Sequence, residues 1–146
     1  MSHVRQQIRE AAATLLTGLT TTGARVFQSR IYPLRDADLP CLLISTDDEK
    51  IDTLGLSAGG LQERELSLVI KAVAKQSAAL DDALDTSLAE IETALTGQSL
   101  GGIAKSNTLE SISVEMSDDL EKPVGILTAT FQITYYTATG APGVAQ

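Results

Sequence analysis

The stretch Gly125-Ile126-Leu127-Thr128-Ala129-Thr130-Phe131-Gln132-Ile133-Thr134-Tyr135-Tyr136-Thr137 alternates without a break. Leu127, Ala129, Phe131, Ile133 and Tyr135 fall on one side of an extended chain. Thr128, Thr130, Gln132, Thr134 and Tyr136 fall on the other. Side chains on a strand point alternately to its two faces, so the pattern predicts a long β-strand with one face in a core. Its threonines and aromatics suit that geometry. Residues 63–74 repeat the pattern, with Leu66, Leu68, Ile70 and Ala72 inward and Glu65, Ser67 and Lys71 outward; Val69 and Val73 are apolar exceptions on the outer face. In residues 109–116, Ile112, Val114 and Met116 share one phase.

The remaining periodicity is helical or punctuated. Val4, Ile8, Ala11, Ala12, Leu15, Leu16 and Leu19 recur at three- and four-residue spacing, which predicts an amphipathic helix of about five turns behind an N-cap at Ser2. Leu80, Leu84, Leu88, Ile91 and Leu95 predict a second helix, capped by Ser77, opened by Asp81, Asp82 and Asp85, and stopped by Gly97. Residues 26–28 read as a short strand. The segment 31–40, Ile-Tyr-Pro-Leu-Arg-Asp-Ala-Asp-Leu-Pro, reads as a proline-bounded crossing into a buried strand at 41–46. Residues 47–60 read as a long acidic hairpin loop ending in glycines. The order α-β-β-β-α-β-β predicts an α+β sandwich of two layers: a mainly antiparallel or mixed sheet with two helices packed on one face. One domain over residues 1–137 and a flexible C-terminal tail over 138–146 are expected. The outer sheet face, with Thr, Gln, Tyr136 and Val69, looks adhesive enough to need a partner subunit.

Composition narrows the function. The 146 residues carry a net charge of −8, the wrong sign for gripping nucleic-acid phosphates. Aromatics make up 3% and tryptophan is absent, which disfavours base-stacking platforms and sugar grooves. Charge is also uneven: residues 1–40 hold five basic and three acidic groups, residues 77–146 two basic and ten acidic. Cys41, the single cysteine, reads as a small buried hydrophobe, and no metal-thiolate cluster or intrachain disulfide is expected. No leader or membrane-spanning stretch is expected, so the chain reads as a soluble product of the cell interior.

No catalytic or cofactor-binding constellation emerges. His3 is the only histidine, which leaves no material for a serine or cysteine triad or a multi-histidine metal site. Asp47, Asp48, Glu49 and Asp52 cluster, but their spacing fits no calcium loop, and a solvated turn is the simpler expectation. Gly59-Gly60 and Gly101-Gly102 match no phosphate-binding fingerprint. Arg30 and Arg35, flanking the proline crossing, read as candidate partners for carboxylates on a neighbouring subunit. Neither an enzyme nor a cofactor is expected.

Asp36-Ala37-Asp38-Leu39-Pro40, the apolar strand that follows, the 65–74 strand, the 80–95 helix and the terminal Phe131-Gln132-Ile133-Thr134-Tyr135 together resemble the tail terminator family of long-tailed phages, the minor tail protein U family of lambda-like phages. The resemblance implies a homohexameric ring at the head-proximal end of the virion tail. Such a ring halts growth of the major tail tube protein, receives the head-tail connector proteins and passes DNA through its lumen without binding it. It further implies contacts to subunit or tube through Arg30, Arg35, Asp36 and Asp38, through Asp47, Asp48, Leu56, Gly59 and Gly60 of the loop, and through Tyr136. Two other classes fit the same residues: another head-tail joining or tube protein, and a small-ligand-binding α+β domain.

Overall fold

The computed structural model describes residues 2–28, 39–54, 60–75, 79–117 and 124–146. Helix α1 spans Val4–Leu16, followed by β1 (Val26–Gln28), β2 (Cys41–Leu54), β3 (Leu61–Lys75), α2 (Leu80–Leu95), β4 (Ser106–Ser117) and β5 (Val124–Ala138). The five strands form one sheet in the order β1-β2-β3-β5-β4. β1 runs parallel to β2, and every other neighbouring pair is antiparallel. The architecture is the expected α+β arrangement.

Alternation decides the core. Leu127, Ala129, Phe131, Ile133 and Tyr135 are fully buried, opposite Ala72, Ile70, Leu68, Leu66 and Arg64 in the β3 register. α1 lies over β1 and β2, and α2 lies over β3 and β5. Helices pack about 8–10 Å apart and strands about 4.8 Å, so each helix covers roughly two strands. Two helices therefore roof four strands, and a fifth is left over. That strand is β4.

Several local expectations change. The N-cap of α1 is His3, whose Nδ1 accepts a hydrogen bond from the Arg5 N–H at 3.1 Å, in place of Ser2. The helix stops at Leu16, because Thr17 is already extended; Leu19 instead bridges to Gly23 in a tight turn. Ala79, in left-handed backbone, holds the N-cap position of α2 without a side-chain bond, and Ser77 lies outside the described residues. β2 runs on through 47–54 where a loop was expected, since β3 pairs with it from Leu54↔Leu61 onward. Val69 and Val73, expected on an exposed outer face, are 9% and 3% exposed.

Residues 138–146 turn back across α1. Pro142 O accepts from the Val4 N–H and Gly143 O from Gln7 Nε2, both at 2.8 Å. The first of these satisfies a helix N-terminal donor that has no partner inside the helix. The Gln146 N–H reaches Tyr136 O at 2.8 Å, and Thr137 bridges Ala145. The tail thus occupies the side of β5 beyond the last β4 pair, Ser106↔Thr134.

Candidate functional site

Among the described residues, the candidate site residues singled out in the sequence do not converge. Residues Asp47 and Asp48 form the β-bulge that shifts register between Thr46 and Glu49. Both are exposed, and Asp47 offers its carbonyl to an Arg5 guanidinium nitrogen at 2.8 Å. The bulge reverses the phase, so Glu49 faces the helix side while Lys50 and Asp52 face away. The acidic run is thereby split between two faces. Among the described residues no group of three or more His, Cys, Asp or Glu is placed to hold a metal ion. Gly60 caps the start of β3, its carbonyl accepting from Thr139 N and Oγ1 at 2.8 and 2.7 Å. Tyr136 lies half-buried on the outer face, its hydroxyl donating to Glu63 at 2.9 Å; that bond first, then the carboxylate charge, raises its pKa. Arg30, Arg35, Asp36, Asp38, Leu56 and Gly59 lie outside the described residues.

A buried polar cluster, unforeseen in the sequence, closes one end of the core. Arg64 Nε donates to Thr137 Oγ1 at 2.9 Å, one terminal nitrogen to Gln62 at 3.1 Å, and the other pairs with Glu49 at 3.4 Å. Tyr135 donates its hydroxyl to the second oxygen of Glu49. Burial above all, and then the Glu49 carboxylate, hold the Tyr135 phenol protonated far above its ordinary range. The side chains of Arg64 and Glu49 are only 10% and 6% exposed, so they are a desolvated pair. The cluster ties β2, β3 and β5 together, and every partner belongs to this chain. Its role is architectural.

The surface left unfinished is β4. Ile112, Val114 and Met116 point to the helix side, opposite Ala129, Leu127 and Gly125, yet they are 44%, 49% and 48% exposed. The last turn of α2 reaches β4 only at its start, where Asn107 Nδ2 donates to Leu95 O at 2.8 Å. The other end of α2 leans on β5: a Cβ on Gly125 would sit 2.8 Å from Leu84 Cδ1. Among the described residues, this edge strand therefore presents both an apolar row and an unpaired ladder edge, a combination that folded subunits cover with a partner. Two clefts, one between α2 and the 17–23 turn and one between α1 and residues 98–101, are open and mainly apolar in lining.

No protein-family model and no curated protein matches the chain. Among solved structures, it is similar to a chain in the virion of a native gene transfer agent particle, at 17% identity and a TM-score of 0.46, over 90% of this chain and 92% of that one.

Proposed function

We propose that this chain is a structural subunit of a phage-like virion and closes the head-proximal end of the tail tube as a homohexameric ring. One observation carries the reading: the apolar row Ile112, Val114 and Met116 on an open sheet edge, left bare because two helices roof only four of five strands. Assembly, rather than catalysis, is the work such a surface performs. Heterologous contacts between successive copies close a ring when the rotation per subunit permits. One face of that ring copies the tube surface and the other does not, so tube growth ends there. The acidic balance keeps passing DNA from adhering to the wall. The order of elements and the residues that resemble the tail terminator family support the finer assignment. Tails assembled without this protein, seen by electron microscopy, should be over-long and headless. Tails of normal length that still accept heads would refute the terminator role, and long tubes formed by the purified chain alone would make it a tube protein.

A further inference from the structure

Among the described residues, the helix flanks above the two edges of the sheet differ in charge. On α2, Glu90 and Ala94 face the 17–23 turn beside α1, with the Thr21 N–H donating to Glu90 at 2.9 Å. At 100° per residue, Asp81, Asp85, Leu88 and Glu92 lie on the opposite flank, beside β4. The apolar row of β4 thus has a carboxylate rim on its α2 side, while Glu115 is exposed on the other face of the strand. On α1, Ala11 and Leu15 face residues 98–101. Arg5 and Arg9 occupy the other flank, toward β2 and β1, where an Arg5 terminal nitrogen reaches Asp47 O. Arg25 stands immediately before β1. Among the described residues, the Nε of Arg9 has no hydrogen-bond partner.

We infer that β4 of one subunit seats against the α1–β1 edge of a second copy, acidic rim to basic flank. The inference rests on the ring reading and specifies its contact. The alternative symmetric contact, β4 against β4, would set the carboxylates of the α2 flank, Asp81 and Asp85, against their own copies, and like charges across an interface repel. The opposed edges are four strand spacings apart, roughly 19 Å. A subunit can therefore use both at once, which is the requirement for a head-to-tail ring.

Two half-blocked variants test this. Val114→Asp with Met116→Asp removes the apolar row and leaves the basic flank. Arg5→Glu with Arg9→Glu reverses the basic flank and leaves β4; Arg9→Glu alone serves if the double variant unfolds early, because its Nε has no bond to lose. By native mass spectrometry, wild type should form rings, and each variant alone should be monomeric, its self-association weakened about a hundredfold or more. An equimolar mixture should give a one-to-one heterodimer. Wild-type rings without a heterodimer, or an arginine variant that dimerises alone, overturn the contact and leave the ring reading standing. A wild-type chain that stays monomeric at high micromolar concentration and on purified tubes overturns both.

Discussion

Arg64→Leu tests whether the buried cluster holds the far end of the sheet. Arg64 is 8% exposed and makes contacts with Thr137, Glu49 and Gln62. Leucine fills much of the stem volume but leaves Glu49, 6% exposed, with only the Tyr135 hydroxyl among these partners. Removing one partner of a buried ion pair costs about 3–5 kcal/mol. The remaining Tyr135 bond places the expected loss near the lower end, about 3 kcal/mol. With a urea dependence of about 2 kcal/mol per molar, the unfolding midpoint should fall by roughly 1.5 M. Replacing both charges, Arg64→Leu with Glu49→Leu, removes the unpaired carboxylate and should recover most of that loss, so the single effects should not add. Chemical denaturation followed by circular dichroism reads all three. An Arg64→Leu midpoint within about 0.3 M of wild type, or strict additivity in the double variant, would refute the cluster as a coupled unit.

Gly125→Val should destabilise by about 2–3 kcal/mol, because its Cβ would meet Leu84 Cδ1 at 2.8 Å and Leu80 Cδ2 at 3.1 Å, and calorimetry should show part of the loss recovered when Leu84 is shortened to Ala. Tyr135 has a raised folded-state pKa, so its contribution is complete below the unfolded phenol value of 10.0 and fades as pH climbs beyond it. Tyr135→Phe should flatten that alkaline decline in a stability-versus-pH series, while costing about 1–2 kcal/mol at neutral pH through the donor lost to Glu49. Deleting residues 140–146 removes the bonds from Val4, Gln7 and Gln146, and should lower stability by about 1–3 kcal/mol with faster amide exchange at the start of α1.

What was legible in the sequence was what a single period carries. β5 and β3 alternate for a dozen residues each and were readable to within two residues of their ends. The extension of β2 through 47–54 was hidden for a physical reason. The bulge at Asp47 and Asp48 shifts the phase, so Leu42 and Ile44 before it and Glu49 and Ile51 after it share a face without sharing a parity. Its charged residues also have weak strand preference, and pairing with β3 overrides that preference. The Glu49–Arg64–Tyr135 cluster was invisible because its members come from three strands and meet only through a register that the bulge in β2 shifts. Cap preferences point to Ser2 rather than His3, although a ring nitrogen can accept from a helix N–H much as a Ser oxygen does.

The β4 row was half legible, and the missing half bears on function. Ile112, Val114 and Met116 have the phase of a core strand, so the pattern alone places them inside. Counting layers places them outside: five strands at about 4.8 Å each are wider than two helices packed about 8–10 Å apart, and α2 bonds to β4 near Asn107. A strand patterned for burial but left about half exposed by the described residues is the basis of the assembly proposal. Among the described residues, Arg5 and Arg9 on α1 and Asp81, Asp85 and Glu92 on α2 fall on opposite flanks of the helix layer, since α1 lies over β1 and β2 and α2 over β3 and β5. A surface apolar along its floor, acidic at its rim and matched by arginines on the far edge favours a directional contact over a symmetric one. Repetition of a directional contact gives either a closed ring or an open filament, and the rotation from subunit to subunit decides between them.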